Sequence, residues 1–317
     1  MKKFMSIILV AVMALSLFTG CANKDDGITK VAIVQQLDHS SLDEIRTAIE
    51  AELTAAGIEF KSFNGQNDAS TLNQIGAQVV SDDYDAIIPI ATLAAQCMVT
   101  AADGKDIPII YAACSDPASA GLTGMANVTG TSDALNTKFI IDMMLSVNPD
   151  ISCVGLLYSN SEINSETPIA EAKAYLDEKG IAYLEKTGNA ADEVITAANA
   201  LVGRCDAVFT PTDNAIMNVA GAVAEILNNA GIPHYTGADS FVTAGSFATC
   251  GVNYTELGSY TGKMAVDILK GGTVPEFHVM DGGIITVNSE TAAALSLDFS
   301  VFDAMANTVL AVSTIAD

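Results

Sequence analysis

Tyr84-Asp85-Ala86-Ile87-Ile88-Pro89-Ile90-Ala91-Thr92 and Cys205-Asp206-Ala207-Val208-Phe209-Thr210-Pro211-Thr212 share one plan: an Asp-Ala step, a short apolar run, then a polar loop. A helical pattern ending at Ala56-Gly57-Ile58 comes before the first, and one ending at Lys179-Gly180-Ile181 before the second. Short runs that are apolar on both faces predict parallel strands buried between helices. Further runs at 30–34, 107–112, 152–158 and 234–236 extend the series. Amphipathic stretches at 42–56, 69–81, 167–179, 191–203 and 214–230 predict helices between them. Gly57, Gly180 and Gly231 stand where glycine ends a helix. The expected fold class is α/β, with two similar lobes whose parallel sheets are flanked by helices. The first series runs from Ile28 to about Thr131; the second opens near Ser152, after a helix over 134–147 closed by Asn148-Pro149.

Outside that frame the N-terminus is the most informative stretch. Lys2-Lys3, an apolar run over 4–18, and Thr19-Gly20-Cys21 read as a signal peptide over 1–20. Leu17 to Cys21 resembles the bacterial lipobox, with Phe18 larger than usual there, so Cys21 is expected to carry lipid and 21–29 to form a tether. The localisation implied is extracytoplasmic, on the cell membrane. The formal net charge of −24 excludes nucleic acid as a partner and adhesion to anionic lipid through the folded surface. Cys97, Cys114, Cys153, Cys205 and Cys250 form no CxxC pair, which predicts small buried thiols rather than a disulfide framework or zinc site. No metal or other cofactor is expected.

Ligands of open parallel sheets bind beyond the carboxyl ends of the strands. The residues there are 35–40, 91–92, 114–117, 159–164, 211–214 and 237–240, rich in hydroxyls, amides and carboxylates and without Lys or Arg. Each loop alone could be a helix cap; six together predict a binding rim. Helix starts favour an anionic group and carboxylates a cationic one, so the pattern suits a zwitterion. Thr92 and Ser115, expected to open helices, are the candidates for holding a carboxylate. Asp213 and Asp239 are the candidates for an ammonium, unranked. Gln36, Ser40, Asp116, Tyr158, Asn160, Glu162, Asn164 and Asn214 complete the candidate site, and Leu37, Leu93, Tyr158 and Ile163 could line an apolar slot or pack in the core.

An ordered set of segments resembles the ABC transporter substrate-binding family that includes tryptophan- and tyrosine-binding lipoproteins. It comprises His39-Ser40-Ser41-Leu42-Asp43, Ala91-Thr92-Leu93-Ala94-Ala95-Gln96, Ser115-Asp116-Pro117-Ala118-Ser119-Ala120-Gly121-Leu122 and Gly130-Thr131-Ser132-Asp133. It continues with Gly155-Leu156-Leu157-Tyr158, Ser161-Glu162-x-Asn164-Ser165, Thr210-Pro211-Thr212-Asp213-Asn214, Asn253-Tyr254-x-x-x-Gly258 and Val287-Asn288. The resemblance implies a type I periplasmic-binding fold, with two Rossmann-like lobes joined by three crossovers and the ligand between them. Lobe one would hold 30–131 plus about 252–277, and lobe two 132–251 plus about 282–317. It also implies a monomer that binds an aromatic amino acid and delivers it to the membrane permease of an ABC importer. Two rivals are a ligand-binding sensor and a two-lobed racemase with Cys114 as one thiol; no His, Lys or Arg neighbours Cys114 to activate it.

Overall fold

Strands and helices alternate along residues 29–315, the part that the computed structural model describes. The expected signal peptide, Cys21 and the tether up to Ile28 lie outside those residues. The first sheet contains β1 (Lys30–Gln35), β2 (Glu59–Asn64), β3 (Ala86–Ile90), β4 (Ile109–Tyr111), β5 (Val128–Ser132) and β11 (His278–Val279), in the order β11-β5-β4-β3-β1-β2. The second contains β6 (Cys153–Tyr158), β7 (Ala182–Thr187), β8 (Ala207–Thr210), β9 (His234–Thr236), β10 (Ala248–Gly251), β12 (Ile284–Asn288) and β13 (Thr308–Val312), in the order β13-β12-β10-β9-β8-β6-β7. Only β10 with β12 is antiparallel among the described pairings. The first five strands of each series, β1 to β5 and β6 to β10, are therefore laid out identically: second, first, third, fourth, fifth.

The repeated Asp-Ala step has a physical reason. Asp85 accepts the Lys30 amide at 2.7 Å, and its own amide donates to the Lys30 carbonyl, clamping the start of β1 to β3. Asp206 does the same for β6, accepting the amides of Ser152 and Cys153 at 2.8 and 3.0 Å. Gly57 and Gly180 sit at φ 73° and 71°, a left-handed conformation open to glycine at no steric cost, and so end the helices that follow β1 and β6. β2 and β7 were not legible as strands, because Glu59-Phe60-Lys61-Ser62-Phe63-Asn64 and Ala182-Tyr183-Leu184-Glu185-Lys186-Thr187 are partly exposed sheet edges with mixed composition. The helix expected over 214–230 is two, α7 (Asn214–Met217) and α8 (Ala220–Asn229).

The chain passes from the first sheet to the second after β5, where α4 (Thr137–Val147) packs on β9 and β10. It returns after β10 into α10 (Tyr254–Leu269), which lies along α1 (Ser40–Ala56). It then crosses back between β11 and β12, so the first sheet ends with Val279. The approach of α10 to α1 is close because Gly258 and Gly262 face it. A Cβ on Gly258 would sit 2.5 Å from the Ile45 carbonyl oxygen, and one on Gly262 would sit 2.8 Å from Glu52 Cβ.

Candidate functional site

In both sheets the strand order reverses beside the first strand, so the loops after β1 and β3, and after β6 and β8, splay apart and leave a crevice. The two crevices face each other across a cavity lined from both lobes. Lobe one lines it with His39, Ser41 and Leu42 after β1, Ala91 and Thr92 after β3, Ala113 and Ser115 after β4, and Tyr254 at the start of α10. Asp133 comes from the crossover after β5. Lobe two lines it with Asn164, Thr212, Asp213, Asn214, Met217, Ala238, Ser240 and Phe241.

A continuous chain of hydrogen bonds runs through this lining. The Ser115 hydroxyl donates to Asp133 at 2.9 Å and so accepts from the Thr212 hydroxyl, also at 2.9 Å, across the cleft. Asn164 donates its amide to the Thr212 carbonyl at 2.8 Å and to Glu162 at 3.0 Å. Glu162 also accepts the backbone and side-chain N–H of Asn214, at 3.1 and 2.8 Å, and Asn214 Oδ1 meets His39 Nε2 at 3.4 Å. Gln36 ties Glu162 to lobe one, donating at 2.8 Å while its oxygen accepts the Leu93 amide at 3.1 Å. Ser41 to Asp239 at 2.9 Å and Thr167 to Asp116 at 2.7 Å are further bridges between lobes.

The electrostatics of the lining are one-sided. Burial raises the Asp133 carboxyl above its usual range. Burial and then the charge of Asp213 raise Glu162 to about 7. Burial also raises Asp239 and, outweighing the hydrogen bond that His39 donates to Asn214 and that acts the other way, lowers His39 to about 4, so its imidazole is neutral. The carboxylates differ in how well they are satisfied. Asp213 accepts the amides of Ser159 and Ile216 at 2.7 and 3.1 Å and the Ser165 hydroxyl at 2.7 Å. Asp133 has the Ser115 hydroxyl and a long 3.4 Å contact with Tyr254. A buried carboxylate with so few donors is the one with most to gain from a cation. Opposite in charge is the start of α3 (Thr92–Ala101), whose first amides have no carbonyl partner within the helix. Ala91, directly before it, is held at φ 74°, ψ 163°, a region that alanine rarely occupies and that recurs at ligand clamps.

Of the expected site residues, Thr92, Ser115, Asn164, Asp213 and Asn214 line the cavity, and Gln36 and Glu162 support it one bond behind. Ser115 sits in a loop rather than at a helix start. Ser40 is exposed, and its neighbour Ser41 turns inward instead, because α1 begins at Ser40, two residues before the expected start, and puts Ser41 on its buried face. Asp213, a candidate for the ammonium, is spent on capping α7 and holding the β6 loop. Asp239 bonds Ser41 beside the cavity rather than lining it. Tyr158 donates to Glu185 and the Asn160 amide to Asn189, both outside the cavity. Asp116 bonds Ser119 and Thr167 at the outer edge of the cleft. Leu37, Leu93 and Ile163 pack in the cores, and the apolar wall is Leu42, Met217 and Phe241. Asp133 was missed although it follows a strand, since Val128-Thr129-Gly130-Thr131-Ser132 does not read as an apolar run. Cys114 is fully buried, and burial followed by the Asp133 charge pushes its thiol well above its ordinary range, towards the unreactive form.

The family model for ABC transporter substrate binding protein matches residues 30–307. The chain belongs to that family. The tyrosine-binding protein of Clostridioides difficile is 31% identical over 322 aligned positions, covering 93% of each chain. The structure overlays an ABC domain from Streptococcus pneumonia in complex with L-Trp with a TM-score of 0.84 at 28% identity, covering 89% of this chain and all of that one. Against the ligand-free, open structure of a substrate-binding protein with adhesive properties from Clostridium difficile the TM-score is 0.68 at 31% identity, over 91% of this chain and all of that one. The overlay is better on the complex although its sequence is less similar. Together with the bridges from Gln36, Ser41, Ser115 and Asp116, this marks the arrangement of the lobes as closed. The protein is a substrate-binding protein of an ABC transporter, built on a type I periplasmic-binding fold. No described helix is long and apolar enough to cross a membrane.

Proposed function

We propose that the protein captures a free aromatic amino acid between its lobes, outside the cytoplasm, and delivers it to the permease of an ABC importer. The observation that carries this is the cavity itself. A buried, under-satisfied Asp133 suits the α-ammonium, the start of α3 with Thr92 suits the α-carboxylate, and Leu42, Met217 and Phe241 offer an apolar wall to a ring. The L-Trp and tyrosine named for the relatives support the same ligand class. The two lobes, taken as 30–131 with about 252–277 and 132–251 with about 282–317, close on the ligand as units. Cys21 carries the lipid that holds the protein at the membrane. Calorimetric titration of the purified protein with the twenty amino acids and the common nucleosides tests the ligand class. The aromatic amino acids should head the ranking, and a nucleoside at its head would refute the reading.

A further inference from the structure

Two buried polar atoms of the cavity lining have no hydrogen-bond partner among the described residues: His39 Nδ1 and Ser240 Oγ. Native interiors rarely leave such atoms unpaired, and two of them on residues that line one cavity are candidates for partners on a ligand. The kind of partner at His39 follows from the network. Glu162 Oε2 already accepts from the Asn164 side chain and the Asn214 backbone amide, and the Asn214 side chain turns its N–H towards the same oxygen at 2.8 Å. That leaves Asn214 Oδ1 facing His39 Nε2 at 3.4 Å, and an oxygen there requires the hydrogen to sit on Nε2. The imidazole is neutral in its buried setting. Its Nδ1 is then a bare acceptor. Ser240, 2% exposed, adds a hydroxyl that can donate or accept, and lies next to Phe241 of the apolar wall.

We propose that His39 Nδ1, with Ser240 Oγ, is a selectivity filter that admits an aromatic side chain carrying an O–H or N–H donor, a phenol or an indole, and rejects a bare phenyl ring. The proposal rests on the amino-acid reading of this cavity and adds to it the chemistry at the far end of the side chain. The chain of bonds from Asp133 through Ser115, Thr212, Asn164, Glu162 and Asn214 ends at His39, so the groups that would hold the backbone of the ligand and those that would read its tip belong to one connected network in the closed arrangement.

The test is calorimetric titration of the purified full chain with L-tyrosine, L-tryptophan, L-phenylalanine and O-methyl-L-tyrosine, repeated on His39→Ala and Ser240→Ala. A site built around a ligand donor discriminates strongly against the analogue lacking it. The tighter of tyrosine and tryptophan should therefore bind at least about 100-fold better than phenylalanine, and O-methyl-L-tyrosine should fall towards phenylalanine. His39→Ala should bring the donor-bearing ligand and phenylalanine to within about threefold of each other, since the penalty for an unpaired acceptor is gone. Phenylalanine binding the wild-type protein as tightly as both others would overturn the filter and leave the amino-acid reading standing. A preserved preference in a folded His39→Ala protein would overturn the role of His39. Absence of binding by all four ligands would take down the amino-acid reading and the filter together. If His39→Ala melts before it can be titrated, the wild-type ranking and Ser240→Ala still decide.

Discussion

Replacing Asp133 by asparagine should weaken ligand binding while leaving the fold as stable as before, or more so. Asp133 is fully buried, and its donors are one hydroxyl at 2.9 Å and one at 3.4 Å. The free protein therefore bears the cost of a poorly solvated charge, as the raised carboxyl shows. An ammonium about 4 Å away in surroundings of effective dielectric about 20 is attracted by about 4 kcal/mol. After desolvation, truncation of such a pair typically costs about 2–5 kcal/mol, which is roughly 30-fold to several-thousand-fold in Kd. Asp133→Asn keeps an oxygen for the Ser115 hydroxyl and removes the charge, so the melting temperature should hold or rise. Asp213→Asn is the control. Its carboxylate takes three hydrogen bonds from the protein, and charge-assisted bonds are worth about 1.5–3 kcal/mol each, so stability should fall there first. Titration calorimetry and thermal melting on the two variants separate the roles. Wild-type affinity in Asp133→Asn would refute the assignment of the ammonium to this residue.

Three further outcomes are expected. Glu162 is raised from 4.5 to about 7, so the folded protein holds this proton more tightly than the unfolded chain; the resulting stabilisation, up to about 3 kcal/mol, is complete below pH 4.5 and lost as pH rises through 7. His39 and His234, lowered to about 4 and about 3, work in the opposite sense below pH 6.5, so the measurement is the difference in melting temperature between wild type and Glu162→Gln from pH 5 to 8, which should change steadily across that window. Gly258→Val would drive a side chain into the Ile45 carbonyl and should destabilise by at least about 1–3 kcal/mol in urea melts, whereas an unchanged midpoint would mean that α10 can lift from α1 freely. Cys21→Ala should release the protein from membranes or leave an uncleaved precursor, and unaltered attachment and size on fractionation would rule out lipidation at this cysteine.

Central strands and the glycines that end helices were legible because burial on both faces writes a continuous apolar run, as in Ala86-Ile87-Ile88-Pro89-Ile90. Edge strands β2 and β7 were not, because one side of each meets solvent. The rim was legible as loops and less so as individual residues. Thr92, Ser115, Asn164 and Asn214 were named from their place after strands, yet nothing local distinguishes an Asp that caps its own loop from one left for a ligand. Asp213 and Asp133 differ most in donors brought from elsewhere in the chain: Ser159 and Ser165 for the first, beyond its local cap of Ile216, and Ser115 and Tyr254 for the second. Ser40 and Ser41 show the same limit at one-residue scale, since the starting phase of α1 decides which hydroxyl turns inward.

The double return of the chain also governs how the protein can be made. The face of α1 bearing Ile45 and Ile49 is covered by α10, and β11 completes the first sheet only at Val279. The second sheet in turn waits for β12 and β13, which follow β11. Neither half can finish its core during synthesis while the other is still unmade, so nearly the whole polypeptide must emerge before either becomes protected. Contacts this distant in sequence slow folding and prolong the exposure of apolar surface. A nascent chain that stays open until its last strands arrive is also one that can be threaded across a membrane before it locks. Truncation before α10 should yield an aggregating fragment instead of an isolated first lobe.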